Sequence, residues 1–310
     1  MFGHARKIYV EIEILGPIDR IWSLTQTPEL HQRWDLRFTE ITYLPRIDAS
    51  QPQRFLYATR IGFGINVRGG GESVGSCEVA DGARSSALRF WSSDPKSLIR
   101  EGSGYWKYLP PAEHAPAVRF LTMYDYDVRF GRLGRLLDRM VFRPTIGWAT
   151  AWSFDRLRLW IEREIDPAAS LRNGLIYLTA RAALAAVWIY QGTVPKLAFR
   201  HPDEVAMLRA MGISNSAAAR LCTAIGCAEI AIGLLLLLRW RLSAPLWMTL
   251  AAMPMALLAV ALKSPTFLAA PFNPVALNLS VFALAAISLL IVRDVPSASH
   301  CIRRPPREQL

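Results

Sequence analysis

The sequence predicts two regions of different class. Residues 1–165 read as an α+β domain whose antiparallel sheet closes around a long C-terminal helix, and residues 174–295 as an all-α bundle of four transmembrane helices. Three observations predict this. Charge divides unevenly, with 23 Lys+Arg and 19 Asp+Glu in residues 1–165 but only 13 and 6 in residues 166–310. The second half holds four apolar runs near spanning length, since a hydrocarbon core about 30 Å thick needs about 20 helical residues. The first half alternates apolar and polar residues in short stretches broken by Gly and Pro, as half-buried strands do. Residues 166–173 read as a linker and 296–310 as a cytoplasmic tail. The net charge of +11 concentrates beside apolar runs, and no basic run is interleaved with aromatics, so nucleic acid is not an expected partner.

The first strand is KIYVEIEIL, and PIDRIWSL and TPELHQRWD follow as short helices with Pro17 and Pro28 at early positions. Six strand-like stretches come next: Arg37–Leu44, Arg54–Ile61, Ile65–Val79, Ser86–Ser92, Gly104–Leu109 and Ala117–Phe130. Gly69, Gly70 and Gly71 interrupt one of them and read as a bulge or bend, without the strand-to-helix context of a phosphate loop. Thr145–Glu164 is the closing helix, and the spacing of Trp148, Trp152 and Trp160 predicts an aromatic stripe facing the sheet. In the connecting segment FGRLGRLLDRMVFRP, Leu133, Leu136, Leu137 and Met140 form one side with Arg132, Arg135 and Arg139 beside it. Two readings stand: a lid packed on the sheet, or an interfacial helix resting on anionic lipid.

One strand, two small helices, six strands and a long final helix make a helix-grip pattern. With the opening VEIEILGPIDRIWSLTQTPELHQRWD, residues 1–165 resemble the START-like superfamily, also called the polyketide cyclase or SRPBCC group. The resemblance implies a hydrophobic cavity between sheet and helix, with Phe90, Tyr105, Phe120, Tyr124, Trp148 and Trp152 as candidate lining residues. Alternation alone does not fix which strand face points inward. His31, His114, Asp35, Asp125 and Asp127 offer acid–base groups, but no spacing singles any out, so no catalytic residue is assigned. Cys77, Cys222, Cys227 and Cys301 lack metal-ligand spacing, and neither a metal nor a cofactor is expected.

The four predicted spans are Gly174–Gln191, Ala217–Leu238, Ala244–Leu262 and Asn273–Val292. Arg163, Arg172, Arg239, Arg241, Arg293, Arg303, Arg304 and Arg307 fall on one side; Lys196, Arg200, Arg209 and Lys263 fall on the other. Eight against four places both termini in the cytoplasm. The opening MFGHARKIYVEIEIL has no apolar signal segment, so the first half is expected to stay in the cytoplasm. In the first outer loop, HPDE predicts a helix start with Pro202 at its first position and His201 capping it. Val205, Leu208 and Met211 then recur at helical spacing, and Gly212 closes the helix.

Arg181 and Glu229 sit near mid-span and at matching depth, which predicts an intramembrane ion pair that either locks two helices or lines a polar pocket. Cys222, Gly226 and Gly233 share the face of Glu229, where small residues admit a close neighbour; Tyr177, Ala185 and Trp188 share that of Arg181. Lys196 is expected to snorkel to the outer interface, and Asn278 to pack or hydrogen-bond between helices.

The stretches VWIYQGTVPKLAFRHPDE, GCAEIAIGL and FNPVALNLS resemble DoxX-like proteins, which implies a four-helix membrane domain in the bacterial inner membrane. The function expected is a membrane-anchored binding module for a hydrophobic small molecule: a lipid, a quinone or an aromatic compound. The alternative is an enzyme or redox-complex subunit acting on a membrane-soluble substrate such as a quinone. Expected partners are the lipid bilayer, that small molecule, and a membrane protein or a second copy of the chain.

Overall fold

The computed structural model describes residues 7–48, 51–62, 64–79, 82–111, 116–269, 271 and 273–305; His114 and Arg307 lie outside them. The chain forms two compact units, Met1–Leu171 with Pro296–Leu310, and Arg172–Val295.

In the first unit, strands β1 (Ile8–Ile14), β2 (Glu40–Tyr43), β3 (Arg54–Gly62), β4 (Ile65–Glu78), β5 (Arg84–Trp91), β6 (Ile99–Leu109) and β7 (Val118–Val128) pair in the order β1-β7-β6-β5-β4-β3-β2. Helices α1 (Ile18–Gln26) and α2 (Pro28–Trp34) follow β1. Every pairing is antiparallel, and the seven strands are those the alternation predicts. Register fixes the inward face. Ile8, Val10, Ile12 and Ile14 oppose Tyr124, Thr122, Phe120 and Val118, which continue across β6 as Gly104, Trp106, Tyr108 and their neighbours.

Helix α3 (Gly131–Leu137) and a π-helical turn (Asp138–Phe142) lead into α4 (Arg143–Arg163), the closing helix, which packs on β1. Its buried Thr150, Phe154, Leu157 and Ile161 follow one another at helical spacing and face the core. The tryptophans do not lead that face. Trp148 is 47% exposed, while Trp152 and Trp160 pack at the core's margin, with Arg156 over the Trp152 ring at 5.4 Å and Arg33 over Trp160 at 4.7 Å. Trp148 precedes Thr150 by two residues, about 200° around a helix, so burying Thr150 turns Trp148 outward.

The core is aromatic. Phe120 stacks on Phe154 at 4.4 Å and on Tyr108 at 5.0 Å, with Trp34 and Trp106 beside them. Burying each such ring contributes about 1.5–3 kcal/mol.

Gly69–Gly71 are neither bulge nor bend. They pair in register with β3 and β5, and the register shifts instead between Ser73 and Gly75. A Cβ at Gly69, Gly71 or Gly102 would lie 2.3–2.5 Å from the ring of Tyr57, Phe55 or Phe90 respectively. Glycine is required there because a large ring from the next strand lies across each backbone.

The segment that begins at Pro296 groups with the first unit. Glu11 and Ile302 exchange two backbone hydrogen bonds at 2.9 Å, which covers the free edge of β1. The Ser297 N–H donates to Asp155 at 2.7 Å, and His300 Nδ1 lies 2.8 Å from the same carboxylate. Burial would raise the Asp155 carboxyl, but His300 and Arg158 outweigh it and hold it below the usual range.

The second unit contains α5 (Pro167–Gln191, from Arg172 onward), a π-helical segment (Gly192–Ala198), α6 (Pro202–Ala210), α7 (Asn215–Leu238), α8 (Ala244–Lys263) and α9 (Pro274–Ile291). Its core joins Tyr177, Leu184, Ala185 and Trp188 of α5 to Leu236, Leu246, Val281 and Ala285 of α7, α8 and α9. Among the described residues, three helices are long and apolar enough to cross a membrane: Asn215–Leu238, Ala244–Lys263 and Pro274–Asp294. The helix over the first predicted span, α5, has 25 residues but is not among them. α6 begins at Pro202 as predicted, with His201 accepting the Asp203 N–H, and Gly212 follows it at φ +91°.

Candidate functional site

The inward face of the sheet carries a buried charged set built from one short stretch of chain. On α2, His31 and Asp35 are four residues apart, which places them on one side of the helix. Asp35 Oδ2 lies 3.0 Å from His31 Nε2 and accepts Arg37 Nη2 at 2.6 Å; Oδ1 accepts the Arg37 backbone N–H at 3.0 Å and Nε at 2.9 Å. Asp35 is buried, and this two-pronged pairing compensates its desolvation. Burial would raise its carboxyl, but Arg37 and His31 hold it below the usual carboxylate range. Burial lowers His31, and Asp35 only partly opposes that shift. The set is therefore a neutral imidazole beside an internally balanced Asp–Arg pair.

Aromatic rings enclose it. His31 stacks on Trp34 at 5.0 Å and meets Trp106 and Phe38 edge-on at 5.0 and 5.3 Å. The Arg37 guanidinium lies over the rings of Phe38 and Tyr124 at 5.5 and 5.6 Å. The Tyr124 hydroxyl meets Thr150 of α4 at 2.9 Å, and burial raises its pKa. Phe38 continues to Tyr57 at 5.6 Å, where the inward face of β2–β5 carries Tyr43, Phe55, Tyr57, Leu88 and Phe90. These side chains are half-buried to exposed, and burial pushes the Tyr57 hydroxyl up to about 12. The half of the sheet beyond the charged set thus presents an open aromatic trough.

The six candidate lining residues separate. Tyr124 lies in the charged set, and Phe90 lies in the trough, its ring across Gly102. Phe120 is fully buried between Tyr108 and Phe154, as plain core. Trp152 is half-buried at the core's margin. Tyr105 pairs with Ala87 and Met123 and so belongs to the opposite face, and Trp148 is turned outward, stacked on Trp152 at 6.3 Å. Neither of these two lines the space between sheet and helix. Of the acid–base candidates, Asp125 is paired with Arg143 and Asp127 with Arg100 at the surface. His31 and Asp35 come together through a helical spacing visible in the sequence; Arg37 escaped notice because its partner is a cap residue two positions away.

Two clefts lie elsewhere on the sheet. One, of about 520 Å³, runs across Gly69–Gly71 and is lined by Leu44, Leu56, Arg68, Trp91 and Asp94 among others. The other, of about 300 Å³, is polar and includes Arg89, Trp91, Glu101, Ser103, Asp125 and Asp127, which register assigns to the face away from α4.

In the second unit the predicted Arg181–Glu229 pair is not made. Arg181 is buried and donates to the carbonyls of Leu236, Arg239 and Leu242 at 3.0, 3.1 and 3.2 Å, and to the Tyr177 hydroxyl at 2.8 Å. Those carbonyls lie at and just past the C-terminus of α7, where orphan acceptors and the negative end of the helix dipole favour a cation. Glu229 lies instead 3.1 Å from Lys196 Nζ, which is also 3.4 Å from Glu204. Lys196 is therefore buried in contact with two carboxylates. Its position follows from the π-helical segment around Pro195 and from close approach of the chain at Gly192 and Gly226, where a Cβ on Gly192 would lie 2.4 Å from the Gly226 oxygen. Cys222, Gly226 and Gly233 are all buried on this face of α7, as their spacing predicts. Asn278 is half-buried on α9.

Residues 185–286 match the DoxX-like family. The chain is 50% identical over 190 residues to the membrane protein YndG of Bacillus subtilis (strain 168), an alignment covering 60% of this chain and 69% of YndG. Among solved structures, it is similar to a START superfamily protein from Mycobacterium smegmatis at 12% identity and a TM-score of 0.37, covering 51% of this chain and 99% of that one. It is also similar to a STAR-related lipid transfer protein fragment from Xanthomonas axonopodis at 14% identity and a TM-score of 0.36, covering 52% and 96%. The helix-grip fold itself is defined by the strand order, the register and the closing helix.

Proposed function

Because the chain belongs to the family of the membrane protein YndG and carries a DoxX-like domain, we propose that it is a membrane-anchored binding module that takes up a hydrophobic small molecule. The observation that carries this reading is the open aromatic trough of Tyr43, Phe55, Tyr57 and Phe90, which adjoins the half-buried Arg37 and His31 and the buried Tyr124. Apolar walls with a few convergent polar groups at one end suit a lipid-like or aromatic molecule bearing one polar head. The ligand would be presented to, or sensed with, the membrane bundle.

The bundle is proposed to have four spans in the bacterial inner membrane, with both termini cytoplasmic. That Leu171 and Pro296 belong to the same unit supports an even number of crossings between them. Three helices qualify by apolarity alone, and α5 supplies the fourth crossing, its Arg181 neutralised by carbonyls.

The test is native mass spectrometry of the full chain released from mild detergent. A stoichiometric hydrophobic molecule is expected, and it should be depleted by Tyr57→Ala. Finding detergent alone, or a ligand retained equally by the variant, would refute the assignment. A second reading, a subunit acting on a membrane-soluble substrate such as a quinone, is favoured by the contact of buried Lys196 with the half-buried Glu204 and Glu229. It predicts a co-purified quinone that persists in Tyr57→Ala and is lost in Glu229→Gln.

A further inference from the structure

The segment between β7 and α4 is held to the domain in an unusual way. Its inward residues are Gly134, whose Cβ position would collide with the Arg129 carbonyl, and Asp138. Asp138 accepts the Tyr126 hydroxyl at 2.7 Å and Arg143 Nε at 2.9 Å, and Arg143 also pairs with Asp125. Polar pins and close backbone contact thus hold the segment, and its large apolar side chains point outward. Leu133, Leu136, Leu137, Met140 and Val141 are all exposed, Leu133 by 73% and Met140 by 68%, with exposed Phe130 at the start. They recur at i, i+3, i+4, i+7 and i+8, a continuous stripe on the side a lid would have buried.

Along one flank of this stripe, at the same helical spacing, lie exposed Arg132, Arg135 and Arg139. Residues 129–142 contain no acidic residue other than the buried, paired Asp138. An ordinary solvated helix of a soluble domain exposes charges of both signs and few large apolar groups. A stripe of leucines flanked only by guanidinium groups matches a surface whose outer layer is anionic and whose depth is hydrocarbon. Because the chain itself crosses a membrane, such a surface is present at high local concentration.

We infer that residues 130–141 form an interfacial docking helix that inserts its leucine stripe into the anionic bilayer spanned by the chain's own helices. The inference is independent of what the aromatic trough binds. Docking would couple occupancy of that surface to the β7–α4 connection, since Tyr126 and Arg143 grip the same Asp138.

Hydrogen–deuterium exchange tests this on the full chain in nanodiscs holding one copy each. In discs containing phosphatidylglycerol, amides of residues 130–141 should exchange at least about fivefold more slowly than in pure phosphatidylcholine, with little change in β3–β5. The triple variant Arg132→Gln/Arg135→Gln/Arg139→Gln should lose this protection, and so should Leu133→Ser/Met140→Ser. All five positions are exposed, so the variants keep the core intact, which an unchanged melting transition verifies. Equal exchange in the two lipids would overturn the proposal. So would protection that appears only when separate anionic vesicles are added.

Discussion

The two units bury charge by different means. In the helix-grip domain, His31, Asp35 and Arg37 lie within seven residues of one another, and a carboxylate answers a guanidinium directly. In the membrane unit, Arg181 takes backbone carbonyls from residues 55 to 61 positions away, and Glu229, about two turns earlier on α7, pairs with a lysine instead. A short-range pair forms whatever the tertiary fold does nearby. A long-range one must compete with every other acceptor the fold delivers, and a helix C-terminus delivers several at once.

The largest expected effect sharpens the first half of this comparison. Asp35→Ala removes the acceptor of three Arg37 N–H groups and leaves a largely enclosed cation without its carboxylate, so it should cost about 3–5 kcal/mol, read from the thermal or denaturant transition of the full chain. An effect below about 1 kcal/mol would mean that water reaches the site and replaces the carboxylate.

Next come double-mutant cycles in the membrane unit. Lys196 and Glu229 should couple by about 0.5–3 kcal/mol, whereas Arg181→Leu and Glu229→Leu should be additive within about 0.5 kcal/mol. Strong Arg181–Glu229 coupling would restore the pairing expected from depth and charge. The smallest effect is on pH dependence. His31 titrates lower in the folded chain than its ordinary 6.5, so unfolding takes up a proton. Its contribution is complete above pH 6.5 and declines as pH falls below that value, and His31→Gln should flatten this part of the profile. Asp35, also lowered when folded, adds an acid-labile contribution that fades only as pH falls below its ordinary 3.8.

Most of the fold was legible. Alternation located all seven strands, and Pro202, His201 and Gly212 marked a helix that forms where they indicate. The site was legible only in pieces. Tyr124 and Phe90 were named for their bulk alone, while Tyr105 differs from Tyr124 in no local property and yet faces the other way. Only cross-strand register separates them. Trp148, Trp152 and Trp160 form a true stripe on α4, but the phase of that helix answers to Phe154 and Leu157, which are fully buried in the core.

The sequence by itself determined where strands, helices and apolar runs lie, because periodicity, capping and hydropathy are properties of neighbouring residues. It also determined the small-residue face of α7, which follows from helical spacing alone. Tertiary structure decided which sheet face is inward, which acceptors satisfy Arg181, and that residues after Pro296 return to cover β1. Those outcomes depend on groups far apart in the chain, and only packing settles which of several chemically adequate partners arrives.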